Sequence, residues 1–185
     1  MGYPAAMRDQ HTEESAPGPR ERRAVTAEEA KALGHPLRQR ILRLCRQREL
    51  TNKQLADRLG RDPGTVLYHV RQLVEAGLLA QAEVRTGDSG ALEKPYRSTT
   101  HTWWLSIPVA EAGSTPLEAF QEEFAEAGPD SLRTFARFML HLSAEDVAEL
   151  DRRICAVIDE YVETDDRRLD QPVHGGIVVL HRLAE

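Results

Sequence analysis

The chain has 185 residues, with 24 Lys and Arg against 30 Asp and Glu for a net charge of −6, and 41% of its residues are hydrophobic. That length permits one domain with an appendage, or two small domains, around a sizeable core. No run approaches the roughly 20 apolar residues that span a bilayer, and the start lacks a signal peptide's apolar stretch, so a cytoplasmic protein with no membrane partner is expected.

The charge is unevenly placed. Val25 to Trp104 holds 13 basic against 9 acidic residues, a balance of +4, whereas Leu105 to Glu185 holds 7 against 17, a balance of −10. The basic stretch is the better partner for a polyanion. The two cysteines, Cys45 and Cys155, lie far apart in helical patterns and read as buried free thiols.

Residues 1–24 are rich in Pro, Gly, Glu, Gln and Arg without an apolar period, the composition of a disordered tail. Thr26-Ala27-Glu28-Glu29 is a capping box that opens a short helix ending near Gly34, and His35-Pro36 interrupts the chain. From Leu37 the period of 3.6 returns. Leu37, Ile41, Leu44 and Cys45 form one stripe, with Arg38, Arg40, Arg43, Arg46 and Arg48 lying mostly outside it as an arginine-rich exterior. Thr51 caps a helix from Asn52 to Leu59 with Leu55, Ala56 and Leu59 inward, and Gly60-Arg61 turns the chain into Asp62.

The next helix has both ends marked: Asp62 as N-cap, Pro63 at the first helical position, and Gly77 as terminator, giving a helix over 62–76. On a helical wheel Val66, Val70, Leu73 and Ala76, with Leu67 and Val74 alongside, fill an apolar arc. The outer arc carries Gly64, Thr65, Tyr68 and Gln72, flanked by Arg71 and His69, and the only acid inside the helix is Glu75 near its far end. A solvated helix face is usually laced with Glu and Lys; this one can donate and accept hydrogen bonds in a major groove. Two short helices joined by a Gly-containing turn are a helix-turn-helix by geometry.

Leu78 to Val84 has strand composition, Thr86 to Gly90 is a loop, and Pro95 to Trp104 can return as a second strand. Such a hairpin, at 84–97, is a wing. Arg85, Lys94 and Arg97 sit around it as phosphate or minor-groove contacts.

Beyond 105, Leu117, Phe120 and Phe124, then Leu132, Phe135, Phe138, Met139 and Leu142, recur at helical steps with Gly128-Pro129 between them, which predicts two helices. Ser143 and Asp146 open another that carries Val147, Leu150, Ile154, Val157, Ile158 and Tyr161. Gly175 to Leu183 has strand character. This region is expected to mediate dimerisation or bind a small-molecule effector, and Trp103, Trp104 and the phenylalanines read as core and dimer interface in preference to a ligand pocket.

The runs A-L-G-H-P-L-R-Q-R-I-L (32–42), L-T-N-K-Q-L-A-D-R-L-G (50–60), T-V-L-Y-H-V-R-Q-L-V-E-A-G-L-L (65–79) and K-P-Y-R-S (94–98) together resemble an ArsR-type winged helix-turn-helix transcriptional regulator over residues 25–104. The resemblance implies a homodimer that binds double-stranded DNA with the second motif helix in the major groove and the wing on flanking DNA. Gly64, Thr65, Tyr68, His69 and Arg71 match the family's DNA-facing positions, while Leu67 departs from the small polar residue common there.

A metal site is not expected. Cys45 has no cysteine within four residues, His141 and Glu145 straddle a helix boundary, and His174 and His181 would point to opposite strand faces. With no Gly-rich phosphate loop, nucleophile elbow or HExxH, neither an enzyme nor a cofactor is expected. The expected fold class is α+β, mostly α: a winged helix-turn-helix domain (25–104) followed by a helical region (105–185) with a short terminal strand. The expected function is sequence-specific regulation at an inverted repeat. A winged-helix protein-interaction module without DNA binding is the alternative.

Overall fold

The computed structural model describes residues 21–87, 90–107 and 113–183. Its first four helices begin where side chains satisfy some of the first, otherwise orphaned, backbone N–H groups. Thr26 and Glu29 form a full capping box at helix α1 (Ala27–Leu33). His35 Nδ1 accepts the Leu37 N–H at the start of α2 (Pro36–Gln47). Thr51 and Gln54 form a second capping box at α3 (Asn52–Leu59). Asp62 accepts from the Thr65 N–H at α4 (Pro63–Glu75), where Pro63 occupies the first turn.

Two glycines do what no other residue does cheaply. Gly60 (φ +60°) turns α3 into α4, and Gly77 (φ +71°) ends α4, with Leu78 N donating back to Leu73 O at 2.9 Å. Both lie in the left-handed region, which costs a side-chain-bearing residue energy. Asn52 Nδ2 also donates to Pro63 O at 2.9 Å, tying the start of α3 to the start of α4.

A three-stranded antiparallel sheet flanks these helices: β2 (Leu50–Thr51), β3 (Leu79–Gln81) and β6 (Pro95–Ser98), with β6 central. Beyond it β4 (Arg85–Thr86) and β5 (Leu92–Glu93) pair as the outer part of the wing. The tip residues Asp88 and Ser89 fall outside the described residues. The wing's return is shorter than the sequence pattern suggests: β6 stops at Ser98, and Thr102–Trp104 is a 3-10 turn. Local side-chain bonds compete with the ladder there. Ser98 Oγ donates to Thr100 O, and His101 Nδ1 accepts the Trp103 N–H at 3.2 Å.

Residues 1–20 of the expected tail lie outside the described residues. Its last residues are structured: β1 (Arg23–Ala24) pairs in parallel with β7 (Leu105–Ser106), and Arg23 grips Glu29 with two hydrogen bonds of 2.9 and 2.7 Å. That guanidinium holds the Glu29 carboxyl well below its usual range, at about 2.

The core joins Leu33, Ile41, Leu42, Cys45, Leu50, Leu55, Val66, Val70, Leu73, Leu78 and Leu79, all nearly inaccessible. Each such aliphatic side chain stabilises by about 1.5–3 kcal/mol relative to exposure. Cys45 is buried as expected, and burial pushes its thiol up to about 12; Cys155 is only half-buried.

After residue 112 come α5 (Thr115–Ala127) and α6 (Ala144–Glu163), the latter opened by a Ser143–Asp146 capping box. Two expectations fail here. Residues 132–142 form no helix and are exposed throughout, and Gly175 to Leu183 forms no strand. Short helices owe most of their stability to tertiary packing, and Phe135 (85% exposed) and Met139 (74%) have no described surface to pack on. The 175–183 segment likewise has no partner strand among the described residues.

Among the described residues, no helix is long and apolar enough to cross a membrane.

Candidate nucleic-acid interface

Helix α4 lies against the core through Val66, Val70 and Leu73, which turns the opposite face outward. Gly64, Thr65, Tyr68 and Arg71 are exposed on that face, Tyr68 to 59%. Gly64 also serves the cap, since a Cβ there would sit 3.0 Å from Asp62 Oδ1. Leu67 is half-buried beside the apolar arc.

His69 is placed differently from the wheel reading, which put it at the edge of the exposed arc. It is only 7% exposed, and its ring lies 4.4 Å from His35 and 5.2 Å, edge to face, from Tyr68. The N-terminal end of α2 covers the flank that the wheel left open, so His69 is withdrawn from the outward face. Burial, His35 and Arg38 together lower its pKa; burial first, then Arg38, lower that of His35, which Glu122 partly offsets. Gln72 is half-buried and donates to Glu75 Oε2 at 3.0 Å, so reading a base with it means breaking that bond.

On the wing, Lys94 and Arg97 are exposed, with no side-chain partner among the described residues. Arg85 is exposed but partnered, its Nε donating to Glu93 at 3.2 Å with Glu49 4.0 Å away. Helical periodicity passes over one cation, Arg61, because it sits in the turn between α3 and α4. It is exposed and lines a cleft with Thr65, His35 and His69. A basic residue directly before an N-cap is the signal that points to it.

The arginine-rich exterior of α2 is not an open basic face. Arg40, its side chain only 3% exposed, donates to Glu122 at 2.7 Å and to Glu126 of α5. Arg43 pairs with Glu123 at 2.7 Å and Arg46 with Asp166 at 2.8 Å. The acidic half of the chain thus neutralises much of this face, whereas Arg61, Arg71, Lys94 and Arg97 have no side-chain partner among the described residues. Among the described residues there is no cluster of three or more His, Cys, Asp or Glu able to hold a metal ion.

Helices α3 and α4 with the hairpin after them constitute a winged helix-turn-helix domain. Residues 33–82 match the sequence model of a family described as a helix-turn-helix domain, a stretch running from the end of α1 past β3. Among solved structures the chain is similar to one titled the crystal structure of the S. aureus MepR–DNA complex, at 18% identity over 74% of this chain and 80% of that one, with a TM-score of 0.27. No curated protein matches the sequence.

Proposed function

We propose that the chain is a sequence-specific, DNA-binding transcriptional regulator of the cytoplasm, of ArsR-like type, acting as a homodimer on an inverted repeat. The observation that carries this reading is the outward face of α4. Thr65, Tyr68 and Arg71 stand exposed on the second helix of a helix-turn-helix, and Lys94 and Arg97 on the wing have no side-chain partner among the described residues. In this reading Gly64 lets DNA approach the backbone closely, Thr65, Tyr68, Arg71 and a released Gln72 meet base edges, and Lys94, Arg97 and Arg85 meet phosphates. His69 supports the helix from beneath. Residues 25–104 form the DNA-binding unit and 105–185 the dimerisation or effector unit, whose exposed Phe135, Phe138 and Met139 suit a second copy of the chain.

Two-fold symmetry places the half-sites about one helical turn, or a multiple, apart. Selection of bound sequences from random duplexes, followed by anisotropy titrations, tests the reading. Arg71→Ala is expected to cost about 1–3 kcal/mol on the selected site and to relax preference at one position. Tyr68→Ala should also weaken the selected site. Unchanged affinity and preference in both variants would overturn the assignment of α4, and no binding of wild type at low salt would favour the interaction module.

A further inference from the structure

Beside the N-terminal end of α4 lies a cleft of about 270 Å³ lined by His35, Leu37, Arg61, Thr65, His69 and Glu122. Apart from Glu122, each of its polar side chains can present a hydrogen-bond donor. His35 Nδ1 accepts the Leu37 N–H at 3.1 Å, which fixes the neutral ring with its proton on Nε2. His69 Nδ1 is enclosed and has no hydrogen-bond partner among the described residues. An enclosed N–H without an acceptor is the costlier alternative to an enclosed lone pair, so His69 too carries its proton on Nε2. Arg61 adds an exposed guanidinium with no side-chain partner among the described residues, and Thr65 adds a hydroxyl. The opposing carboxylate, Glu122, is held by Arg40 at 2.7 Å. With its one carboxylate already paired, such a lining suits an acceptor-rich group.

We propose that this cleft is a binding site for a phosphate-type oxyanion, with Arg61 and Thr65 at its mouth and the Nε2–H groups of His69 and His35 within. The occupant is a backbone phosphate of bound duplex, in which case the inference rests on the DNA-binding reading above, or a free phosphate group. Arg61 supplies the charge-assisted bonds, which are roughly twice as strong as neutral ones. The imidazoles orient the oxygens.

The full chain is titrated with inorganic phosphate while the ring resonances of His35 and His69 are followed by NMR, against chloride at matched ionic strength. A saturating shift specific to phosphate is expected, weakened about tenfold in Arg61→Ala and regained in Arg61→Lys. No phosphate-specific shift in wild type, or an equal one in Arg61→Ala, would overturn the proposal. A parallel anisotropy titration with duplex DNA separates the sources. If the backbone is the occupant, Arg61→Ala weakens every duplex alike and lowers the salt slope by about 0.9. If free phosphate is, DNA affinity stays unchanged while the NMR response is lost. Should wild type bind no duplex at all, the DNA-binding reading fails and the phosphate titration still decides the cleft.

Discussion

The two halves of the chain carry the same kind of helical periodicity and come out differently. In the N-terminal half the stripes of α2, α3 and α4 close on one another and on the sheet, and Ile41, Leu55, Val66, Val70 and Leu73 are fully buried. Beyond β7 the one buried hydrophobic among the described residues is Ala119, while Val147, Val157 and Tyr161 of α6 and the whole of 132–142 face outward. What joins the halves is charge more than core. Arg40, Arg43 and Arg46 of α2 meet Glu122, Glu126, Glu123 and Asp166. Near the other end Arg22 lies over the Trp103 ring, and both donate to Asp159 of α6. An apolar stripe thus specifies a packed helix only where a complementary surface exists in the same chain.

The sharpest way to break this contrast is to truncate one apolar side chain in each half. Ile41→Ala should cost about 2–5 kcal/mol in urea unfolding, through lost transfer energy and a cavity. Phe135→Ala should cost less than about 0.5 kcal/mol for the isolated chain. A large penalty for Phe135→Ala would mean that the segment is covered in solution, and its growth with protein concentration would identify a second copy as the cover.

The same contrast explains what could be read from the residues alone. Capping is local, so Thr26–Glu29, Thr51, Asp62 and Ser143–Asp146 could be placed from sequence, and with them the starts of α1, α3, α4 and α6. The helix-turn-helix followed from those caps and Gly60. The failures are tertiary. Nothing local says that α5 covers Arg40, that the end of α2 covers His69, or that 132–142 lacks a packing surface. At the candidate interface, the outward placement of Thr65, Tyr68 and Arg71 was legible because one wheel decides it, whereas the Gln72–Glu75 bond and the His35–His69 contact depend on rotamers and on a second helix.

Next in size is the joint itself. Removing Arg40, whose side chain is 3% exposed, leaves Glu122 and Glu126 facing each other without their counter-charge. Breaking a fully buried pair costs about 3–5 kcal/mol. These glutamates are 43% and 53% exposed and recover hydration, so Arg40→Ala should cost about 1–3 kcal/mol. Proteolysis should then cut between the halves before either half is lost. Arg46→Ala, at an exposed pair, should change stability by less than about 1 kcal/mol; equal effects would refute the ranking.

Smaller still is the cap that starts α4. Asp62 Oδ1 accepts the Thr65 N–H at 3.0 Å, and Asp62→Ala should lower stability by about 1 kcal/mol, with Asp62→Asn restoring most of it. The proposed recognition face begins on this turn, so the alanine variant should also weaken DNA binding; full affinity would show that the first turn forms without its cap.

The smallest effect expected is the response to acid, which separates the halves by chemistry. His35 and His101 each use Nδ1 to accept a backbone N–H, from Leu37 and Trp103, and an imidazolium cannot accept. Burial lowers both values below 6.5, with Arg38 adding to it at His35 and Arg46 at His101; His69 is lowered likewise, and the enclosed ring beside it makes charging either imidazole unfavourable. Between the folded values and 6.5 the unfolded chain holds more protons, so stability rises with pH across that window and is lost as pH falls through it. The Tm should therefore decline from about pH 7 to about pH 5. His35→Asn, which can cap without titrating, should flatten part of that decline. A slope unchanged in that variant and in His101→Asn would assign the acid response elsewhere. Glu29 would not be the source, because its lowered value of about 2 places its loss in stronger acid.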